Sequence, residues 1–468
     1  MATTVNLRKV LDRKQWEPLT PSPVASGAGI FQIDSSLTNR QMMVTGVSAI
    51  YFNDPSEDAS LQLPNSGLTG TFGAGSCGCH HPAGPSGTAT AGSSSTLTTN
   101  LTIPGSLAGY TIRITSGTGA GQDRVISSNT VGANSVLTVP TWTTTPDATS
   151  VYTIYSGRFY VWNAGTASTF GFRYYDTATN TWSAELTKAS VGTTWGTDGR
   201  LIATPGALVT GAIATGTATS ATPTTLTVSG KSWTTNQWAN FQVRITGGTG
   251  AGQVRSITSN TGTVLTVPTW TTTPDATSTY VIEGNEDYLY LMGNAAVTLY
   301  RYSISGNNWT TLSPGTARTT APGAGASGHW VASSADPNFN IENAIVNGRR
   351  IYSFRGGASN ALDYYDIPSN AWTNGVTYQR QNETFTTGTC YAFAGDNLYI
   401  QKDATGRWFR FNFPTHTLDP WSTLVYPQGA AAVGDRAWIT SYTDGGTIIR
   451  WVNFWINSST PIFRCLII

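Results

Sequence analysis

Cys77-Gly-Cys79-His80-His81 is where side chains able to bind a metal crowd together, holding two of the chain's four cysteines and two of its four histidines. Thiolate and imidazole groups this close suit Zn²⁺ or Cu²⁺. Adjacent His80 and His81 cannot easily face one ion from an extended chain, however, and no matching second half of a ligand set follows. The flanking runs GTFGAGS and HPAGPSG read instead as a flexible loop, with Cys77 and Cys79 as free thiols or, less simply, a disulfide. Cys390 and Cys465 lie far apart and read as buried apolar thiols. The expectation is a loop, with a metal at Cys77, Cys79, His80 and His81 as the sharper alternative and no cofactor elsewhere.

That loop would lead into a duplication. The fifteen residues VLTVPTWTTTPDATS occur unchanged at Val136–Ser150 and Val264–Ser278. RITSGTGAGQ at Arg113–Gln122 precedes the first copy and RITGGTGAGQ at Arg244–Gln253 the second. Internal repeats fix architecture before any other signal. The offset falls from 131 to 128 between the two landmarks (244 − 113, then 264 − 136), because the first copy carries three extra residues, VGANS against GT. Thr, Val and Ile alternate through each copy and are broken by Gly and Asn, which predicts short strands and no helix. Two small β-barrels or sandwiches are expected at 86–155 and 215–283. GTGAGQ invites a phosphate-loop reading, but the GK[ST] ending is absent and no helix follows. Arg124 and Arg255 read as strand residues paired across the module. Trp142 and Trp270, in the identical PTWTTTPD segments, are candidate exposed aromatics for a glycan or protein contact.

This module pattern resembles one scattered through structural proteins of tailed bacteriophages, especially tail and fibre components. The resemblance covers the two copies and implies a virion protein.

Outside the copies runs a second repeat: Tyr175-Asp-Thr-Ala-Thr-Asn-Thr-Trp182, Tyr302-Ser-Ile-Ser-Gly-Asn-Asn-Trp309 and Tyr365-Asp-Ile-Pro-Ser-Asn-Ala-Trp372. A looser copy, one residue longer, runs from Phe413 to Trp421. An apolar strand and a break precede each, RFYVWNAG, DYLYLMGN, RRIYSFRGG and DNLYIQKD. Strand, glycine break, strand ending in Tyr, Asn-containing turn, then Trp resembles the kelch repeat, which implies a β-propeller of four-stranded blades. Such blades cannot bury both faces alone, so they stack around an axis with bulky side chains between them. The 16 Trp and 20 Tyr are then mostly core. The expected fold is all-β: a kelch-like β-propeller of about six blades over 29–85, 156–214 and 284–468, carrying the two inserted modules. Blades are expected near 156–208, 284–335, 341–390 and 391–432, with a strand pair from Ala437 and further strands at Arg40–Asp54. The modules should enter just before a blade's YTI or YVI strand. Residues 1–28 read as an extended arm able to dock on a neighbouring subunit, and the apolar end PIFRCLII as buried in the propeller or an interface.

Charged residues make up 11% of the chain, against about 25% in an ordinary globular protein. Thr, Ser, Asn and Gly cover the surface instead, as in extracellular β assemblies. Net charge is +1, so no basic field draws nucleic acid. No export signal opens the chain and no 18-residue apolar run offers a membrane span. A virion component assembled in the host cytoplasm fits that combination.

Enzyme chemistry has little to stand on. The kelch resemblance brings in galactose oxidase, a copper enzyme, but His329 and His416 lie in no comparable motif. SYTDGG at Ser441 resembles a sialidase Asp-box turn without its Trp. Asp54, Glu57 and Asp58 read as one solvated loop rather than paired catalytic carboxylates. No nucleophile elbow or HExxH occurs. The sequence therefore predicts a non-enzyme: a homo-oligomeric tail or neck protein, nozzle-like or fibre-associated. Its partners would be other virion proteins of the tail, neck, portal adaptor or capsid. The alternative is an adhesin for host glycan, or a capsid-decorating protein.

Overall fold

The computed structural model describes residues 17–19, 31–34, 41–45, 49–54, 59–63, 76–163, 171–188, 191, 199–204, 214–285, 288–331, 350–422, 436–455 and 462–467, short turns within them excepted. Of the candidates above, Glu57 and Asp58 and most of the 1–28 arm lie outside the described residues.

Among the described residues, six four-stranded antiparallel sheets form the blades of a propeller. Blade 1 runs through Phe31–Asp34, Gln41–Thr45, Ala49–Asp54 and Ala59–Gln62. Blade 2 takes Cys77–His81 as its inner strand, then Arg158–Trp162, Phe172–Asp176 and Thr181–Trp182. Blade 3 starts at Arg200–Thr204 and continues with Tyr288–Met292, Leu299–Ser303 and Asn308–Thr311. Blade 4 spans His329–Val331, Arg350–Phe354, Leu362–Asp366 and Ala371–Val376, and blade 5 Cys390–Ala394, Asn397–Lys402, Arg407–Asn412 and Thr417–Ser422. Blade 6 is Arg436–Asp444, Thr447–Trp455 and Ile462–Ile467, with Glu17–Leu19 as its outer strand. The inner strand of blade 6 lies beside those of blades 1 and 5, and the inner strands of blades 2 and 3 beside each other.

Two expectations are corrected here. Glu17–Leu19 pairs antiparallel with Ile462–Ile467, Glu17 opposite Arg464 and Leu19 opposite Ile462, so this part of the supposed docking arm closes the ring. An unpaired strand edge invites foreign pairing, and closure by the opposite terminus removes it. The blade boundaries also shift by one strand. Arg200–Thr204 begins blade 3 instead of ending blade 2, because its partner Tyr288–Met292 follows the second insertion.

The three Tyr–Asn–Trp copies share one physical cause. In each, Tyr and Trp sit directly opposite across the third and fourth strands. The turn between them puts Asn180, Asn307 and Asn370 at φ of 54°, 46° and 48°, the left-handed region that Asn tolerates better than most residues. Each Asn side-chain carbonyl accepts the hydroxyl of its Tyr: Tyr175 to Asn180, Tyr302 to Asn307 at 2.8 Å and Tyr365 to Asn370 at 2.7 Å. Blade 5 obeys the same rule, but in a register the sequence reading misplaced. Phe411 faces Leu418, and His416 takes the left-handed position at φ 50° with its ring stacked on Phe411. The copy is thus Phe411–Leu418, of standard length, rather than Phe413–Trp421.

Aromatic rings seal successive blades. Trp162 and Phe172 of blade 2 meet Trp309 of blade 3, with centroids 5.5 and 5.3 Å apart. Tyr290 meets Tyr365, Phe354 meets Phe411, and Trp408 meets Phe454 at the next three interfaces.

Each duplicated copy folds as a small sandwich between a blade's inner and second strands. In the first, one sheet orders Asp123–Val125, Thr111–Ser116, Val151–Tyr155 and Ser86–Thr88, and the other Ser128–Asn129, Val136–Thr138, Thr96–Thr98 and Ala91–Ser93. The second copy repeats both sheets. The YTI and YVI strands thus belong to the modules, Val151–Tyr155 and Thr279–Asn285, rather than to blades. The three extra residues of the first copy add a ladder, Gly132–Ala133 against Thr102–Ile103. Leu97, Ile112, Ile114, Ile126, Leu137 and Ile154 fill the first core, with none of their surface exposed. Burial of each contributes about 1.5–3 kcal/mol, so each copy has a core of its own. In antiparallel blades the first-to-second and third-to-fourth connections lie at one end, so both modules rise from the same face, on neighbouring blades. Ala178, in the Asn turn of blade 2, accordingly packs into the first module's core.

Candidate functional site

Cys77–His81 is a strand, correcting the loop expectation. Its register sets Cys77 opposite Trp162 and His81 opposite Arg158. Strand alternation sends Cys77, Cys79 and His81 to one buried face and His80 to the other. Both cysteines sit among Tyr160, Trp162, Phe172, Leu201 and Leu289 between blades 2 and 3. Burial pushes the Cys77 thiol up to about 12, with the Arg200 charge pulling weakly the other way, and holds Cys79 well above its ordinary value. His80 lies 4.9 Å from the Phe159 ring, and burial first, then His81, pulls it down to about 3. A metal site needs thiolates and converging ligands. Here the thiols stay protonated and the histidines diverge. Among the described residues no group of three or more His, Cys, Asp or Glu is placed to hold an ion.

Trp142 and Trp270 are corrected as well, being only 4% and 3% exposed. Their rings sit in the module cores, and Arg124 and Arg255 lie over them at 5.4 and 5.6 Å. Arg124 donates from Nε to the Thr141 carbonyl at 2.9 Å and from Nη2 to the Thr143 hydroxyl. Arg255 repeats both bonds on Thr269 and Thr271. A glycan stacks on an open aromatic face, and these faces are covered.

The repeated motif instead builds a corner that locks itself. Gln122 accepts the amides of Thr143 and Thr144 on Oε1 and donates from Nε2 to the carbonyls of Gly119 and Thr144. Gln253 does the same to Thr271, Thr272 and Gly250. Asp147 accepts the hydroxyl and amide of Thr149, which hold its carboxyl below the ordinary range, and Ser150 donates to the Thr118 carbonyl. Asp275, Thr277, Ser278 and Thr249 repeat the pattern. Gly117 and Gly248 sit at φ 76° and 74°, where a Cβ would lie about 2 Å from the Thr149 or Thr277 carbonyl oxygen. The loop's amides also turn inward, Gly121 to the Ile114 carbonyl at 2.7 Å and Ala120 to Gly117. No nest of free amides is left to cradle a phosphate.

Sequence reasoning missed the buried polar cluster around Asp363. Asp363 of blade 4 is fully buried and accepts Arg318 Nε at 3.0 Å, Arg355 Nη2 at 2.7 Å and the Gly375 amide at 2.9 Å. Arg318 also donates to the Ser353 hydroxyl and lies 4.7 Å from the Trp372 ring. Burial pulls Arg318 down to about 10, against Asp363, so it stays charged at neutral pH. With its oxygens filled by protein donors, Asp363 ties the blade 3–4 connection to blade 4. The only available signal was an acidic residue at an inward position of a strand. His416, half-buried and lowered by burial, is 3.4 Å from the Tyr352 hydroxyl and serves the blade 5 turn.

Sheets and modules together define the class: a closed six-bladed β-propeller bearing two self-locked β-sandwiches on one face. No protein-family model matches the chain, and no curated protein matches it. Among solved structures it is similar to YCF48 bound to a D1 peptide, at 7% identity over 98% of this chain and 99% of that one, with a TM-score of 0.33. The WD40 domain of SCAP from fission yeast matches at 8% identity over 94% and 66%, TM-score 0.26, and YjhT at 11% over 37% and 62%, TM-score 0.22.

Proposed function

We propose that this chain is a non-enzymatic structural component of a tailed-bacteriophage virion, an oligomeric tail or neck protein whose contacts with other virion proteins run through its paired modules. The observation that carries this reading is the self-locked corner. The residues that the two modules share most strictly hold each module rigid and leave no open catalytic or anion-binding group there. The modules' likeness to those of phage tail and fibre proteins supplies the setting, with assembly in the host cytoplasm. The low charge of the chain supports partners other than nucleic acid. The adhesin alternative has lost its carrier, since Trp142 and Trp270 are core residues.

Light scattering on the full chain, beside a chain with 86–155 and 215–283 each replaced by a short Gly-Ser turn, tests the reading. The expected result is an oligomer that becomes a folded monomer on excision. A full chain that stays monomeric at every concentration overturns the oligomeric role, and an oligomer that survives excision overturns the role of the modules.

A further inference from the structure

Two residues beyond Tyr160, Tyr290 and Tyr352, on the second strands of blades 2, 3 and 4, stand Trp162, Met292 and Phe354, all buried. Blade 5 puts Gln401 in that place, two residues beyond Tyr399 and only 1% exposed. A primary amide buried there costs stability that an apolar side chain would add, unless it is partnered. Its cross-strand neighbour on the inner strand is Cys390, 6% exposed. Cys390 donates from Sγ to the Gln401 side-chain carbonyl at 3.5 Å. On its other side Gln401 faces Trp408, whose ring lies 5.6 Å from Phe454 of blade 6. The pair is thus enclosed beside the seam of blades 5 and 6.

A thiol aimed at a carboxamide is a nucleophile beside an acyl carbon. That carbon lies one C=O bond, about 1.23 Å, beyond the oxygen that Sγ contacts. A nucleophile held in such a position reacts at an effective concentration that no free thiol reaches. Attack forms the Sγ–Cδ bond. The thiol proton passes to the amide nitrogen, and the Cδ–N bond breaks to release ammonia. Nothing is oxidised or reduced, and no co-reactant enters.

We infer that Cys390 and Gln401 form an internal thioester, which is an acyl donor for primary amines. An amine that reaches it takes the Gln401 acyl group as an amide and returns the Cys390 proton and thiol, so each chain can bond covalently to one amine-bearing partner. The apolar surroundings keep out water, the competing nucleophile. Cys390 and Gln401 stand at the ends of their strands away from the two modules, so capture here is independent of contacts that the modules make.

The test is the intact mass of the full chain in acid, before and after incubation with methylamine, beside Cys390→Ala and Gln401→Met. Met stands at the matching place in blade 3, so the second variant keeps the seam filled. The parent should be lighter than its sequence by one ammonia, and each variant should have the full mass of its own sequence. Methylamine should add once to the parent alone, at the peptide that holds Gln401, and should make Cys390 available to iodoacetamide in denaturant. A parent of full mass that takes up no methylamine, or an ammonia deficit that persists in either variant, would overturn the inference.

Discussion

Tyr152 and Tyr280 occupy the same place in the two modules, each inside the sandwich and each against a glycine of the first strand, Gly87 or Gly216. Their hydroxyls fare differently. Tyr152 donates to the Asn100 side-chain carbonyl at 2.8 Å. At the matching position Ser229 turns its hydroxyl to Thr219 at 2.8 Å, and the Tyr280 hydroxyl is buried with no hydrogen-bond partner among the described residues. Burial accordingly pushes Tyr280 up to about 12. Removing a satisfied hydroxyl costs about 1 kcal/mol, and removing an unsatisfied one costs nothing or stabilises. Tyr152→Phe should therefore speed amide exchange in the first module by several-fold, and Tyr280→Phe should leave or slow it in the second, read by hydrogen-exchange mass spectrometry. His80 gives the acid-side prediction. Its pKa falls from 6.5 to about 3 on folding, so between those values the unfolded chain binds a proton that the folded chain refuses. Stability is intact above pH 6.5 and declines as the pH drops toward 3. His80→Gln should flatten the fall in urea midpoint between neutral and acid pH; an unchanged slope would assign the loss to other groups.

At the scale of elements, the legible parts were those whose partners lie close in sequence. The Tyr–Asn–Trp copies are hairpins, so one short window holds both strands and the turn residue that must go left-handed. The modules were legible because identity announces a duplication. Cys77–His81 was not, since CGCHH lacks β-branched residues and its partner Arg158–Trp162 arrives only after a whole inserted module. Trp142 looked like a surface residue amid Thr and Pro because Arg124, which covers it, comes from another strand. Blade 5 was misread because Phe411 and Leu418 stand where Tyr and Trp were sought, with ring stacking at 6.1 Å in place of the Tyr–Asn hydrogen bond. That substitution makes a testable pair. Phe411→Tyr alone buries a hydroxyl against His416, and His416→Asn alone faces a ring with no donor. Together they rebuild the bond of blades 2, 3 and 4, so a double-mutant cycle in urea should show favourable coupling of about 0.5–1.5 kcal/mol. Additive effects would mean that the turn geometry of blade 5 does not bring the two groups together.

At the scale of the whole molecule, the ring depends on its least local contact, since Leu19 and Ile462 pair from opposite ends of the chain. Loop closure of that span grows only slowly in entropic cost with length, so a short strand can hold it once the other blades have stacked. The strand pairs with Ile462, Phe463 and Arg464, part of an edge that would otherwise be open to other chains. A docking arm and a closing strand respond differently to removal. Deleting residues 1–28 from a docking arm would dissociate an oligomer and leave each protomer as stable as before. Deleting a closing strand weakens the protomer itself and bares an edge that aggregates. The second outcome is expected: a lowered unfolding temperature by calorimetry, with concentration-dependent aggregation, both reversed when a peptide of residues 1–28 is added in trans to re-form the fourth strand of blade 6. Unchanged protomer stability would return the N-terminus to a role between subunits.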